Sequence, residues 1–414
     1  MKKLLIQIIL ITVFATADAQ TAKNVSADKP EKIVTFVKTE YSTDWYAKQA
    51  KLWEAEIKKD PNNDDAWLNC FRATRYKIMY AAIDAYNDGK TKMIEEDYSP
   101  LKDFAVRLAK ERPNSYARYM IDYYCNRFVN GFECEDNMLK AIKMRPDAED
   151  EEIYADYVSY LLQKGETDFM ADILKKWYNT GKYSYNFLSY SYNVLAGMEP
   201  GGIIFVNGDM PVFSSLLIQY GKDLFKDRTI ICVGLFAAPG YLDNVCKELG
   251  IDKIEMFKAE AQAPQEYISG DFRHWACKVF ATIAENTGRP VYFSTFLSEA
   301  NDYKFQQNVY SEGLVNKYST VKYDNLAVKR RNFEEVYLTD YLYETFVPET
   351  YNATAYKVNL NYIPCFKSLL DYYRKTGNKT QEDKLYKMLK HILDSSKDLL
   401  DKDSYNHYDD EIKR

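Results

Sequence analysis

Residues 198–209 read Met198-Glu199-Pro200-Gly201-Gly202-Ile203-Ile204-Phe205-Val206-Asn207-Gly208-Asp209. Pro200-Gly201-Gly202 breaks any helix that precedes it. Ile203 to Val206 is a continuous apolar run of strand length, as in a strand buried on both faces. The same texture returns downstream. Val212 to Phe225 is helical in pattern, and Thr229-Ile230-Ile231-Cys232-Val233 is a second buried strand. Tyr241 to Leu249 is a helix stopped by Gly250. Ile254 to Phe257 reads as a third strand and Phe272 to Asn286 as a long helix. Val291-Tyr292-Phe293-Ser294-Thr295 is a fourth strand, and Gly313-Leu314-Val315 begins a fifth. Strands alternating with helices predict a Rossmann-like α/β domain with a mostly parallel sheet over residues 199–330.

Upstream, residues 40–198 switch to the helical period. Trp45, Gln49, Leu52 and Trp53 recur at three- and four-residue steps, followed by Ile57. Asp60-Pro61-Asn62-Asn63 stops that helix, and Asp64-Asp65 opens the next, with Trp67, Cys70, Phe71 and Arg75. The punctuation recurs at Arg112-Pro113-Asn114-Ser115 and at Arg145-Pro146-Asp147, with the two prolines 33 residues apart. That spacing is close to the tetratricopeptide (TPR) period, which predicts TPR-like helical repeats. The interval from Pro61 to Pro113 is longer, so one repeat carries an insertion around 87–99. Glu151 to Gln163 and Asp168 to Asn179 form a pair across Lys164-Gly165-Glu166. Stacked pairs predict a concave surface for a protein segment, rich in Tyr (37 in the chain). Any single Tyr is better read as filler of a helix–helix seam.

At the other end, residues 331–401 read as a C-terminal helical segment. Phe333 to Glu344 is acidic and helical in pattern, and Tyr362 to Arg374 pairs with Gln381 to Leu393 across Gly377-Asn378-Lys379. Residues 402–414 are a polar, frayed tail. Lys329-Arg330-Arg331 reads as a solvated turn.

The N-terminus has the three parts of a secretory signal peptide over residues 1–19. These are Lys2-Lys3, an apolar run from Leu4 to Phe14, and Ala17-Asp18-Ala19, leaving Gln20 as the first mature residue. Residues 20–39 then form a polar, flexible lead-in. The apolar run is too short to span a bilayer comfortably, and no other long run exists, so no transmembrane helix is expected in the mature chain. Export to the periplasm or outer membrane of a Gram-negative envelope follows. The chain carries seven Cys, an odd number, and no C-x-x-C. Buried small hydrophobes are the favoured reading. Cys125 and Cys134 flank Asn130-Gly131 and are candidates for a staple between two helices.

Composition narrows the function classes. A hydrophobic fraction of 46% with 28% charged residues excludes disorder over most of the chain. A net charge of −6 gives no general hold on nucleic acid, so none is expected as a partner. No glycine-rich phosphate cradle follows any strand, so no cofactor is expected. Three His and no G-x-S-x-G elbow give no signal for a metal centre or a catalytic residue. The polar groups at the carboxyl ends of strands, where such sheets bind ligands, are Asn207, Asp209 and Ser294, joined by Glu312. Two readings stand for Asn207-Gly208-Asp209: a hydroxyl- or cation-binding loop, or a tight turn whose Asp209 caps the helix near Pro211. The second is favoured.

Ile203-Ile204-Phe205-Val206-Asn207-Gly208-Asp209 resembles the strand and loop of a bacterial family. So do Asp227-Arg228-Thr229-Ile230-Ile231, Gly288-Arg289-Pro290-Val291-Tyr292-Phe293 and Glu312-Gly313-Leu314-Val315. The similar part is the soluble C-terminal region of protein O-mannosyltransferase-like multispanning membrane proteins, a region shared with exported TPR-like proteins. It covers residues 150–320 and, more loosely, the helices after 360. The family continues its Gly-Asp loop with Asn-Asp-Thr and an aromatic, where this chain has Met210-Pro211-Val212-Phe213. The acidic and hydroxyl groups that would complete a polar site are therefore absent. The membrane transferase half has no counterpart here, so the resemblance implies no glycosyl transfer.

The expectation from all of this is a non-enzymatic, exported scaffold. TPR-like helices would engage a protein partner of the cell envelope, braced by the α/β domain. The alternative is an envelope enzyme or sugar-binding accessory using Asn207, Asp209, Ser294 and Glu312, linked through the resemblance to protein glycosylation.

Overall fold

Capping and turn chemistry set the first helices. In a computed structural model, residues 29–35, 38–87, 98–130, 135–145, 151–236, 238–251, 272–297, 307–344, 346–351 and 353–413 are described. The chain divides into two compact units, Met1–Ile153 and Tyr154–Arg414.

The first unit contains helices α1 (Thr43–Lys59), α2 (Asp64–Asn87), α3 (Ser99–Glu111), α4 (Tyr116–Asn130) and α5 (Glu135–Met144). The Ser42 hydroxyl caps α1 by accepting from the Trp45 amide at 3.2 Å. Asn63 caps α2 by accepting from the Ala66 amide at 3.0 Å. The Trp67 indole N–H donates to the Pro61 carbonyl at 2.9 Å, so the turn is fastened from inside the next helix. The repeated Arg-Pro punctuation has a structural role. Arg112 and Arg145 both reach Asp64 in the first turn of α2, at 3.0 and 3.3 Å. The Tyr residues here mostly fill seams: Tyr46, Tyr76, Tyr116, Tyr123 and Tyr124 are all buried.

The lead-in is a correction. Residues 29–35 are docked rather than flexible: Ile33 is 1% exposed, and its amide donates to the Asn69 side-chain oxygen at 2.7 Å. The Trp53 indole N–H reaches the Glu31 carbonyl at 2.8 Å. Ile33 joins Trp45, Tyr46, Ala73 and Tyr76 in one core, and its burial anchors this stretch of chain. The expected signal peptide and cleavage site lie outside the described residues.

The second unit takes up most of α6 (Glu151–Lys164) and continues through α7 (Thr167–Asn179) and α8 (Tyr185–Ala196). Gly165, at φ +71, makes the α6–α7 turn, and a Cβ there would stand 3.1 Å from the Asn244 side chain. A five-stranded sheet follows: β1 (Ile203–Val206), β2 (Thr229–Cys232), β3 (Val291–Ser294), β4 (Val309–Ser311) and β5 (Val315–Tyr318), in the order β2-β1-β3-β5-β4. Between the strands run α9 (Asp209–Leu216), α10 (Tyr241–Leu249) and α11 (Phe272–Asn286). Ile203, Phe205, Ile231, Val291 and Phe293 form one buried face, packed in a core with Leu242 and Val245 of α10 and Trp275, Phe280 and Ile283 of α11. Phe205 and Phe280 have ring centres 4.5 Å apart.

The sheet is mixed rather than mostly parallel. β1 pairs parallel with β2 and β3, whereas β3–β5 and β4–β5 are antiparallel. The cause is local. Three residues, Glu312 to Leu314, join β4 to β5, and a connection that short permits only an antiparallel hairpin. The strand expected at 254–257 lies outside the described residues.

Three further expectations are revised in this stretch of the chain. The helix expected to Phe225 is α only to Leu216; a wider π-type turn, Leu217–Gly221, follows it, with Asp223 and Phe225 at positive φ. Gly221 presses on α7, where a Cβ would stand 2.4 Å from Tyr178 Cβ, so the chain swells at that contact. Phe333 to Glu344 is not one helix. After α12 (Asn325–Arg331) and a π-type turn, it runs extended and then into a short 3-10 turn, Asp340–Leu342. Lys329-Arg330-Arg331 is the end of α12 rather than a solvated turn, and Lys329 is buried with its ammonium donating to Ser368 Oγ at 2.9 Å.

Beyond these come α13 (Ala353–Lys357), α14 (Tyr362–Thr376), α15 (Lys379–Ser395) and α16 (Lys402–Lys413). Gly377, at φ +70, turns α14 into α15. The polar tail is the helix α16 rather than a frayed end. Asp401 accepts from the Ser404 amide at 2.7 Å, Ile412 is 1% exposed, and Lys390 donates to the Tyr405 hydroxyl at 2.9 Å. Among the described residues no helix is long and apolar enough to cross a membrane. Cys70, Cys125, Cys232 and Cys365 are not in disulfides, and Cys134, the proposed partner of Cys125, lies outside the described residues.

Candidate functional site

The strand order reverses at β1. Its connection through α9 leads to β2 on one side, and the chain returns to β3 on the other. Parallel strands then diverge above the carboxyl ends of β1 and β3, which is where open α/β sheets hold ligands. Asn207 to Asp209 follow β1, and Ser294 ends β3. Val315 sits opposite Ser294 in the register, so the Glu312–Leu314 turn comes to the same edge. The topology therefore brings all four candidate residues to one edge of the sheet.

Each has its own local role. The Asn207 side-chain oxygen accepts from the Gly208 amide at 3.0 Å, and Gly208 takes φ +89, which suits a glycine. Helix α9 starts at Asp209, with Gly208 at the cap position, one residue earlier than a capping Asp209 would require. The exposed Asp209 carboxylate lies in the first turn, where the helix dipole favours an anion. Burial, reinforced by the Asp209 charge, pushes the Cys232 thiol up to about 12. The Ser294 hydroxyl is buried and accepts from the Phe296 amide at 3.3 Å.

Glu312 is 1% exposed. The Tyr323 hydroxyl donates to its carboxylate at 2.6 Å, and its carbonyl accepts from Asn332 Nδ2 at 2.9 Å. Burial raises the Glu312 carboxyl above its ordinary range, opposed by the Tyr323 hydrogen bond and the Lys317 charge. Lys317 is ion-paired with Glu199, and its ammonium stands 5.6 Å from the Tyr323 ring centre and 6.0 Å from that of Tyr292. The Tyr292 hydroxyl accepts from the Glu199 amide at 3.2 Å. Burial raises both Tyr292 and Tyr323. Five ionisable groups thus share one sheet face, because the register sets Tyr292 opposite Lys317.

Helix α8 reaches the residues that follow β3. Tyr190, 1% exposed, shares a 2.8 Å hydrogen bond with the Thr295 hydroxyl, and its ring meets Phe296 and Tyr362 at 5.7 and 5.9 Å. Farther along α8, the Asn193 amide donates to the Leu338 carbonyl and the Tyr362 hydroxyl, both at 2.8 Å, and its oxygen accepts from the Leu338 amide. Asn359 Nδ2 donates to Asn186 at 2.8 Å, while Asn359 Oδ1 accepts from the Tyr341 hydroxyl at 2.9 Å. Sequence reasoning missed this buried polar ladder. Its signal was available: Asn186, Tyr190 and Asn193 recur at helical spacing on one face of an otherwise apolar helix.

A serine–lysine pair also invites attention, Ser368 beside the buried Lys329, whose pKa burial lowers. Ser368 sits in the interior of α14, where the neighbouring amides serve the helix ladder and offer no oxyanion donors. The pair is a clamp between α12 and α14. Among the described residues no group of three or more His, Cys, Asp or Glu is arranged to hold a metal ion. Comparison with protein-family models, with curated proteins and with solved structures found no match.

Proposed function

We propose that the chain is an exported, protein-binding scaffold of a Gram-negative cell envelope. TPR-like helical pairs would present the binding surface, and the α/β region would serve as a second rigid unit. The observation that supports this reading is that polar groups beside the ends of β3 and β4 are engaged internally: the Thr295 hydroxyl is hydrogen-bonded to Tyr190, and the Glu312 carboxylate accepts from Tyr323. Large apolar side chains are exposed instead on helices and loops: Val106 at 71%, Phe169 at 63% and Phe346 at 94%. Such groups serve macromolecular contacts better than small-molecule capture. The test is affinity purification of the tagged protein from its own envelope, with sequencing of its mature N-terminus. Stoichiometric recovery of an envelope complex and a mature chain beginning at Gln20 are the expected results. Recovery of the protein alone, with Met1 intact, would overturn the reading.

One observation favours a second reading, a sugar-binding accessory to protein glycosylation. Asn207, Asp209, Ser294 and Glu312 stand along one sheet edge, and Asp209 is exposed there. A melting screen with sugars tests it. A shift abolished by Asp209→Asn would favour the accessory over the scaffold.

A further inference from the structure

Phe346 is the most exposed large apolar side chain among the described residues, and Val347 beside it is 48% exposed. The backbone that carries them is held firmly. The Glu349 carboxylate accepts from Ser184 Oγ at 2.9 Å and from the amide and Nδ2 of Asn186 at 3.1 and 2.9 Å. It also accepts from the amides of Thr350 and Tyr351 at 2.9 and 3.0 Å. Thr350 Oγ1 donates to the Lys182 carbonyl at 2.9 Å. An apolar tip pinned outward in this way pays little ordering entropy on binding. Its surroundings are acidic. Residues 332–356 contain Glu334, Glu335, Asp340, Glu344 and Glu349 and no Lys or Arg. Asp340 and Glu344 are exposed.

The complementary surface is on α6 and α7. A groove of about 530 Å³ is lined by Tyr157, Phe169, Asp172, Ile173, Lys175 and Lys176, among others. Helix α7 buries Met170, Leu174 and Trp177. Phe169, Ile173 and Lys176, at i, i+4 and i+7, form a second face, and Phe169 is 63% exposed. Tyr157, Phe169 and Ile173 supply apolar lining, and Lys175 and Lys176 outnumber Asp172, which matches an apolar tip with carboxylates beside it.

We propose that Phe346 and Val347 of one copy seat in the α6–α7 groove of a second copy, with Asp340 and Glu344 against Lys175 and Lys176. The contact is heterologous, so each copy keeps one tip and one groove for the next, and assembly closes as a ring or runs on as a filament. A contact built on one loop is small, so the association is weak and depends on concentration.

Sedimentation velocity on the purified full chain, across the micromolar range, tests this without any envelope partner. Wild type should self-associate. Phe346→Asp should weaken association by about tenfold or more with an unchanged melting temperature, as for an aromatic anchor. Lys175→Glu/Lys176→Glu and Asp340→Lys/Glu344→Lys should each abolish it. An equimolar mixture of those two charge variants should associate again, because the basic tip of one meets the acidic groove of the other. A wild type that stays monomeric throughout, or a mixture that stays monomeric while wild type associates, overturns the proposal. Monomeric wild type would assign the tip to a different protein.

Discussion

Gly313 abuts the Tyr337 hydroxyl: a Cβ on Gly313 would stand 2.9 Å from that oxygen and 3.2 Å from Phe366 Cζ. The same oxygen accepts from the Leu314 amide at 3.1 Å, and a Cβ on Gly197 would meet it at 2.7 Å. Gly313 also takes φ +114, a conformation costly to any other residue. Gly313→Ala should therefore cost roughly 2–4 kcal/mol of stability, from backbone strain and overpacking together. Urea unfolding measures this. Adding Tyr337→Phe should recover part of the loss, and a Gly313→Ala protein of unchanged midpoint would contradict the packing described.

The pair between Glu54 and Arg107 joins α1 to α3. Arg107 makes two hydrogen bonds to the carboxylate, at 2.8 and 2.9 Å, and its guanidinium lies 4.7 Å from the Trp67 ring centre. The Arg107 hydrogen bond holds the Glu54 carboxyl below its ordinary value of 4.5, against the opposing effect of burial. A carboxyl depressed in the folded state contributes stability above its unfolded pKa and loses it as pH falls through the folded pKa. Wild type should therefore lose stability on acidification below about pH 4.5, the unfolded value. Arg107→Ala should cost about 1 kcal/mol at neutral pH and flatten that acid limb. Melting temperatures over an acid pH series read both effects.

Glu312 behaves in the opposite sense. Burial raises its carboxyl, so its contribution to stability is fully present below the ordinary glutamate pKa and is lost as pH rises through the folded pKa. Glu312→Gln keeps an acceptor for the Tyr323 hydroxyl and removes the charge. Its melting temperature at neutral pH should equal or exceed that of wild type, with a smaller fall as pH rises from the ordinary glutamate value of 4.5 to neutrality. A lower neutral-pH melting temperature would mean that the ionised carboxylate stabilises the fold.

The thiols of Cys70, Cys125, Cys232 and Cys365 are each pushed up to about 12, with burial the largest cause in every case. In a Cys134→Ser background, iodoacetamide at pH 8 should leave these four unlabelled in native buffer and label them in urea, since the thiolate is the reactive form. Mass spectrometry of labelled peptides resolves each site. Rapid native labelling of Cys232, beside Asp209, would show an environment more open than the one described.

Legibility followed the range of the forces involved. β1, β2 and β3 were readable from apolar runs, and the α14–α15 hairpin from Gly377, because a few neighbouring residues determine each. The direction of β5 was not readable. It depends on β4, whose residues Val309-Tyr310-Ser311 are half-buried and lack the unbroken apolar texture of the inner strands. Asn207, Asp209, Ser294 and Glu312 were found as polar residues near strand ends. Tyr190, Lys317 and Tyr323 were not, since each reaches the sheet from an element distant in sequence or across a strand pair.

By itself the amino-acid sequence determined where the inner strands and most helices lie, because caps, turns and apolar periodicity act over a few residues, but not where the helix after β1 ends or how residues 333–344 fold. It carried the polar tail too, yet only tertiary structure made that tail a helix, through the burial of Ile412 and the contact of Lys390 with Tyr405. Tertiary structure also decided what meets the end of β3. The Tyr190 hydroxyl meets Thr295 across 105 residues of chain, a contact that no local pattern encodes. Helix α8 packs against α9 and the 3-10 turn Val358–Asn361, and that placement brings the two together.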